Sequence, residues 1–265
     1  MTTASATHRR SSDTIADQDA DKFARQDDLY AFPYHHLPWR DAAGGLSISR
    51  SLGWGAEYLC YLHHVSELIV SLGARSILDA GCGDGRLFTV LPASVRRRVG
   101  ADLSPRAIAY ARAFTPNAEW HVGPIDAIDE QFDVVTAIEV LEHIPDAFIP
   151  GFVRSLADRV APGGFAIVTV PSTVLPLNAK HHRHYDEQLL GEQLRHAPSL
   201  ELVRFERVIR DDAGILQWSK LLHNRWWSLD VPALRSRIWR AWWNSARVAT
   251  PANGRHVLAI LRRVG

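Results

Sequence analysis

Short apolar runs alternate with segments of helical periodicity over most of the chain. Between residues 56 and 72, apolar positions recur three or four apart and predict an amphipathic helix. Five later runs predict buried strands, in the order RSILDA, RRVGADL, AEWHV, FDVVTAI and GGFAIVTV. Because these runs are almost continuously apolar and alternate with helical segments, the sequence predicts an α/β fold with a mostly parallel sheet covered on both faces.

Changes in composition divide the chain into segments. The beginning is polar and predicts a disordered tail, and the stretch YAFPYHHLPW that follows is aromatic and punctuated by proline. The runs LELVRFERVI and GRHVLAILRR are expected to close the sheet edge. We therefore predict five segments: a tail at 1–27, an N-terminal lid segment with a helix at 28–72, a core at 73–210, a helical insert at 211–252 and a final strand at 253–265.

Bulk composition narrows the class of protein. With 265 residues, 46% of them hydrophobic, the chain can bury a large core, and its net charge of +1 creates no general attraction for nucleic acid. Its two cysteines form no CxxC motif, which argues against a disulfide framework or a zinc site. No apolar leader and no run of ~18 apolar residues is present, so we expect a cytoplasmic protein without a transmembrane segment.

A glycine-rich turn, LDAGCGDGRL, follows the first predicted strand. Gly81, Gly83 and Gly85 allow a tight turn and a close approach of the backbone to a ligand. Asp79 precedes the turn, and Asp102 ends the second strand about twenty residues later, where an acid can bind ribose hydroxyls. The turn and the acid together predict a nucleotide-type cofactor site.

Four motifs resemble, in the right order, those of the class I S-adenosylmethionine-dependent methyltransferases: SILDAGCGDGRL, VGADLSPRAIAYAR, FDVVTAIEVLEHIPD and VAPGGFAIVTVPS. The resemblance spans roughly residues 56–208. It implies a Rossmann-like fold with a mostly parallel seven-stranded sheet, and S-adenosyl-L-methionine as the cofactor. It places the methionine end of the cofactor near Asp79, Gly81, Gly83 and Gly85 and the ribose near Asp102; further candidates for cofactor contact are Leu103, Asp126 and Glu139.

One departure from the family pattern concerns the adenine. The family often has an acid directly after a glycine that follows strand three, whereas this chain reads Gly123-Pro124-Ile125-Asp126. Either Asp126 contacts the adenine amine from a shifted position or backbone groups do so.

The motif EVLEH puts Glu139, Glu142 and His143 just past the fourth strand, at the edge of the sheet where α/β proteins bind ligands. Methyl transfer is an in-line attack on a sulfonium carbon, so the enzyme must align and often deprotonate the acceptor. A histidine is a natural base. We predict His143, Glu142 and His184 as catalytic residues; the alternative is that Glu139 or His143 orders the loop and contacts the cofactor.

The stretch KHHRHYDEQLL lies in the loop after strand five, at the same edge, so His184 is predicted to approach His143. The sequence RHY is similar to small-RNA 3′-terminal 2′-O-methyltransferases, in which two Glu and two His bind magnesium. The aromatic FEW of that family is replaced here by DEQLL. A magnesium site is thus an alternative, and its four positions would be Glu139, Glu142, His143 and His184. His181, His182 and Arg183 are interpreted as a solvated loop that could meet an anionic substrate.

Six of the nine tryptophans lie between residues 214 and 250. With the aromatic segment 30–39, they predict an apolar or ring-bearing acceptor. Packing onto the core, a homodimer contact and a membrane-surface helix at LRSRIWRAWWNSARV are the alternatives. The hypothesis is methyl transfer to a small molecule, at an oxygen of a sugar, polyketide, isoprenoid or phenolic intermediate. The alternatives are a magnesium-dependent RNA 2′-O-methyltransferase and a catalytically silent partner subunit.

Overall fold

The computed structural model describes residues 20–25, 39–40, 43–47, 53–222 and 231–264. Within the predicted tail 1–27, the described residues 20–25 are helical and the others lie outside the description. The aromatic segment 30–38 also lies outside it, as do Trp226, Trp227 and the side chains of Trp39 and Trp54. Among the described helices, none is long and apolar enough to cross a lipid bilayer.

Seven strands form one sheet, as predicted. Their order is β5-β4-β3-β6-β7-β9-β8, and a separate two-stranded hairpin joins β1 and β2. All pairs in the large sheet are parallel except the two that involve β9. The strands are β1 Trp39–Arg40, β2 Leu46–Ser47, β3 Ser76–Ala80, β4 Arg97–Asp102, β5 Glu119–Val122, β6 Phe132–Ile138, β7 Val160–Pro171, β8 Leu200–Arg210 and β9 Gly254–Arg263.

Two of the helices begin at residues whose side chains cap the helix N-terminus. Ser104 accepts the N–H of Ala107 with its side chain, and Pro105 occupies the first helical position. Asp186 accepts the N–H of Leu189 in the same manner. The helices are α1 Gly53–Ser71, α2 Arg86–Val90, α3 Pro105–Phe114, α4 Ile149–Asp158, α5 Glu187–Leu194, α6 Gly214–Leu222 and α7 Pro232–Ser245.

Two apolar clusters cover the two faces of the sheet. One contains residues of α1, α2, α6 and α7, and the other contains residues of α4 and α5. Trp239 and Trp242 of the insert are buried in the first cluster, whereas Trp218 is exposed. The packing alternative therefore accounts for Trp239 and Trp242, whose burial stabilises the insert against α1.

Trp120 packs across the middle of β4, directly over Gly100. A Cβ atom at Gly100 would lie 3.0 Å from the Cys82 Sγ atom and closer still to the Trp120 ring. The indole cannot easily move, because its Nε1–H donates to the Thr115 carbonyl at 3.0 Å. Because Gly100 has no side chain, the Trp120 ring packs directly on the backbone of β4. The same position lies against Cys82, so this packing stabilises the glycine turn that contains Cys82.

We predict that Gly100→Ala lowers the free energy of unfolding by about 1–3 kcal/mol, the usual cost of overpacking a core. The matched control is Gly151→Ala in α4, where an added Cβ meets nothing within 4 Å. This control should be neutral or stabilising by up to ~1 kcal/mol, since alanine favours helix. Urea unfolding followed by circular dichroism measures both, and equal stability of Gly100→Ala and wild type would contradict the packing argument.

Candidate active site

The glycine turn between β3 and α2 is fixed by the carboxylate of Asp102. One carboxylate oxygen accepts the Gly83 N–H at 2.9 Å, and the other accepts the Ser104 N–H at 2.8 Å. Asp102 therefore joins the turn to the start of α3. A carboxylate oxygen has a second lone pair, so Asp102 can still accept ribose hydroxyls, as the sequence predicts.

The structure explains why glycine is required in this turn, in ways that the sequence did not reveal. Gly81, Gly83 and Gly85 have φ angles of 74°, 53° and 74°, a region that favours glycine. A Cβ at Gly81 would collide with the Val140 side chain, and one at Gly85 would collide with Trp120. At Gly81 and Gly85, contacts within the protein already require glycine. The predicted approach to a ligand is not needed to explain these two positions.

Two of the predicted cofactor-binding residues near Asp102 are exposed to solvent. Leu103 follows Asp102 directly and is 58% exposed, which is unusual for a leucine at the end of a buried strand. Asp126 is exposed in the 3-10 turn Ile125–Ala127, after the neighbouring strand β5. A hydroxyl acceptor next to an exposed apolar side chain suits a ribose joined to a flat base.

Asp79 lies beneath the turn and is buried. Its carboxylate accepts the Thr136 hydroxyl at 2.7 Å. Burial raises the pKa of Asp79 to about 7, although the bond from Thr136 opposes this shift. Near neutral pH this carboxyl group is partly protonated in the protein without ligand.

The chain turns sharply where β6 ends. Glu139 has a positive φ of 54°, and its N–H donates to the Thr169 carbonyl at 3.0 Å. Leu141–His143 then form a 3-10 turn that buries Glu142, which is 1% exposed. Among the described residues, the Oε2 atom of Glu142 has no hydrogen-bond partner.

His143 and Glu142 form an uncharged pair. The Nδ1–H of His143 faces the Lys180 carbonyl at 3.3 Å, and its Nε2 lies 3.8 Å from the Glu142 Oε1 atom. Burial, assisted by the charge of Lys180, lowers the pKa of His143 to about 4. Burial and the nearby Glu139 raise the pKa of Glu142 well above its usual range. Both shifts favour the uncharged forms, a protonated carboxyl group on Glu142 and a neutral imidazole on His143.

His181, rather than His184, contacts His143. The rings of His143 and His181 meet edge to face with centroids 4.8 Å apart. His184 Nδ1 lies 3.0 Å from the Leu175 carbonyl, so its Nε2 must accept from the Nδ1–H of His181, 2.8 Å away. The prediction that His184 directly approaches His143 is therefore corrected. His184 contacts His181, and His181 contacts His143.

Arg183 fastens the loop after β7 to the turn after β6. Its guanidinium donates to the carbonyls of Leu141 at 2.9 Å and Ile144 at 2.8 Å, and it pairs with Asp146 at 2.7 Å. The His182 N–H adds a bond to the Glu142 carbonyl at 2.7 Å. The interpretation of this stretch as a solvated loop was wrong, because the 3-10 turn leaves carbonyls that need donors.

The four predicted magnesium ligands are not brought together as one group. Glu139 bonds to Tyr61 of α1 and His256 of β9 instead of joining the other three, and His184 bonds to His181. The ligand atoms that do converge, within 4.8 Å of one another, belong to Glu142, His143 and His181. Two imidazole nitrogens and one carboxylate oxygen suit a transition metal, whereas magnesium prefers oxygen ligands. The residues present do not fit magnesium.

Three residues near Glu139 escaped the sequence reasoning. Glu139 accepts the Tyr61 hydroxyl at 3.3 Å and faces the Nδ1 atom of His256 at 3.1 Å. The Nε2 atom of His256 lies 3.4 Å from Glu57. These contacts join α1, β6 and β9, which are distant in sequence. The one local signal was a histidine at the start of the otherwise apolar run HVLAIL.

Comparison with known proteins identifies the family of this chain. A family model described as a methyltransferase domain matches residues 55–246. The chain belongs to this methyltransferase family. It is an S-adenosylmethionine-dependent methyltransferase, and the matched residues include the glycine turn and Asp102.

Individual relatives resemble parts of the chain. The ubiquinone biosynthesis O-methyltransferase of Bordetella avium is 33% identical over 112 residues, 39% of this chain and 46% of that protein. The enzyme of the same name from Methylobacterium nodulans is 38% identical over 100 residues, 35% of this chain and 39% of that protein. The chain thus matches less than half the length of these two curated relatives. Among solved structures, a TehB-like S-adenosylmethionine-dependent methyltransferase from Corynebacterium glutamicum aligns with a TM-score of 0.51 at 17% identity. The alignment covers 94% of this chain and 99% of that one. At this identity, the likeness shows the fold alone.

We predict that His143 is an uncharged imidazole between pH 6 and 8. Nitrogen-15 chemical shifts of ring-labelled protein should show a titration midpoint near 4, because burial disfavours the charged ring. The His143→Gln spectrum identifies the resonance. A midpoint of ~6.5, the ordinary value for histidine, would contradict the uncharged pair.

Proposed function

We propose that this methyltransferase transfers its methyl group to a hydroxyl oxygen of a small, ring-bearing acceptor. The observation that supports the proposal is the buried pair His143–Glu142 at the carboxyl end of β6, where burial favours the uncharged form of both groups. The acceptor oxygen bonds to the methyl carbon as the carbon–sulfur bond breaks and S-adenosylhomocysteine leaves. The hydroxyl proton passes to the free Nε2 of His143, which acts as general base.

The weakness of this base favours an acidic hydroxyl. With a pKa of about 4, His143 accepts a proton from an alcohol much less readily than from a phenol, whose own pKa is ~10. We therefore place a phenolic or enolic acceptor ahead of a sugar. The names of the curated relatives, which specify O-methylation in ubiquinone biosynthesis, support oxygen as the accepting atom.

The other predicted site residues take roles around this reaction. Asp79, Gly81 and Gly83 border the methionine end of the cofactor, as Gly85 does from the start of α2. Asp102 accepts from the ribose hydroxyls, Leu103 packs against the flat base, and Asp126 reaches the adenine amine. His184 acts through His181, by holding the Nδ1–H of that ring and so keeping its Nε2 lone pair toward the site.

Magnesium-dependent methylation of RNA finds no comparable support. The converging ligand atoms do not fit magnesium, and the net charge of +1 supplies no general attraction for a polyanion. A small acceptor remains the better match to the site.

We predict that turnover requires His143 and that cofactor binding does not require it. With a panel of phenols, enols, sugars and alcohols, mass spectrometry should detect a methylated phenol or enol. His143→Gln should lower turnover by ~10²-fold or more, the scale for loss of an acid–base group. Its affinity for S-adenosylhomocysteine should be unchanged in calorimetry. The control His196→Gln alters an exposed histidine and should behave as wild type; full turnover by a folded His143→Gln protein refutes the assigned base.

Cofactor affinity is predicted to depend on Asp102. In Asp102→Asn the amide nitrogen cannot accept, so either the Gly83 N–H or the Ser104 N–H loses its partner and the ribose loses an acceptor. Calorimetry should show S-adenosylhomocysteine binding weakened by ~10-fold or more. Asp129→Asn, an exposed carboxylate in the segment that leads into β6, removes the same charge and should change nothing. Equal affinities of the two variants would show that the cofactor lies elsewhere.

A further inference from the structure

His256 occupies a position between two carboxylates that the proposed methyl transfer does not use. It lies at the start of β9, paired with Pro171 at the end of β7. Its Nδ1 atom is 3.1 Å from a Glu139 oxygen and its Nε2 atom is 3.4 Å from a Glu57 oxygen. The Tyr61 ring stacks on the imidazole with centroids 5.0 Å apart.

This geometry requires a charged imidazolium. A neutral imidazole has one N–H, so one of the two carboxylates would face a lone pair. Burial opposes the charge, but Glu139 and Glu57 outweigh it and raise the pKa of His256 to about 10. At neutral pH the ring therefore donates in both directions.

The charges continue outward in alternating sign. Glu57 accepts the Arg255 Nε–H at 2.6 Å, and Arg255 also pairs with Asp211, which is half exposed. The sequence of charges from the site to the surface is Glu139, His256, Glu57, Arg255 and Asp211. Each charge on this path has a neighbour of opposite sign, which is the condition for keeping buried charges ionised.

Glu139 is held from both sides and lies close to the cofactor turn. Tyr61 donates to one of its oxygens and His256 to the other. The next residue, Val140, packs over Gly81, so the turn after β6 touches the glycine turn. The charged and titratable groups near His256 and Glu139 are Glu57, Tyr58 and Tyr61 on α1, Glu142 after β6, Lys180 after β7 and Arg255 on β9.

We propose that His256 is a positioning residue, which keeps Glu139 as a fixed carboxylate facing the positive methionine end of the cofactor. This inference rests on the proposed placement of the cofactor. S-adenosylmethionine carries a sulfonium charge that its product, S-adenosylhomocysteine, lacks. Glu139 therefore favours the charged substrate over the neutral product, which helps the product to leave.

The test compares two unreactive ligands, so no acceptor is needed. Sinefungin carries an ammonium group where the sulfonium methyl of the cofactor would be, and S-adenosylhomocysteine is a neutral thioether there. Calorimetry should show that the wild type prefers sinefungin. In Glu139→Gln that preference should fall by ~10-fold, with little change in the affinity for S-adenosylhomocysteine.

His256→Gln gives a readout that a merely structural residue would not change. Without the imidazolium, Glu139 loses the cation beside its second oxygen, so its carboxylate is no longer held in one position. The preference for sinefungin should then fall toward that of Glu139→Gln, with little change in the affinity for S-adenosylhomocysteine. The control Glu206→Gln breaks a histidine–carboxylate pair elsewhere, where His64 lies 2.9 Å from Glu206, and should leave the preference unchanged.

The possible results distinguish a failure of this inference from a failure of the proposed function. Binding of neither ligand by folded wild type would overturn the cofactor placement. Binding of both, with the same preference in wild type and Glu139→Gln, would overturn the role of Glu139 alone. A preference for sinefungin in His256→Gln that matches wild type would overturn the role of His256. If the variants do not fold, nitrogen-15 shifts of the wild-type His256 ring decide: it should stay doubly protonated up to pH 9, and a midpoint of ~6.5 would refute the proposal.

Discussion

The burial of Glu142 is the constraint on which the rest of the site depends. A carboxylate removed from water and left without a partner for Oε2 is strongly destabilised, so the group holds its proton. An uncharged Glu142 lets His143 stay neutral beside it, and a neutral imidazole has the lone pair that a general base needs. The backbone of the same turn is then held from the loop after β7, through Arg183 and the His182 N–H.

The site combines two kinds of electrostatic environment at one edge of the sheet. Around His143, burial favours the uncharged forms of Glu142 and His143. Around His256, paired carboxylates preserve charge, and the groups hold their protonation state. Glu139 and Glu142 are three residues apart, yet they belong to these different environments because the positive φ at Glu139 turns their side chains apart. In the function that we propose, this separation provides a proton acceptor for the substrate and a fixed negative charge for the cofactor.

The sequence predicted those features that local chemistry or sheet topology determines. The tight glycine turn after β3 was predicted because its residues are contiguous in the sequence. Parallel strands end at one edge, so the meeting of the EVLEH turn with the histidine loop followed from strand order alone. Which histidine touches His143 was beyond such reasoning, since it depends on how the loop closes and on the bond between His184 and the Leu175 carbonyl. His256 was missed for a related reason: its partners come from α1 and β6, and no local pattern records a long-range ion pair.

The central claim, that Glu142 is a protonated acid beside a neutral His143, has a direct spectroscopic test. Infrared difference spectra of wild type and Glu142→Gln at pH 7 isolate the absorption of this one carboxyl group. The account predicts the carbonyl band of a protonated carboxylic acid in wild type and its absence in the variant. The two stretching bands of an ionised carboxylate at Glu142, with no acid band, would contradict it.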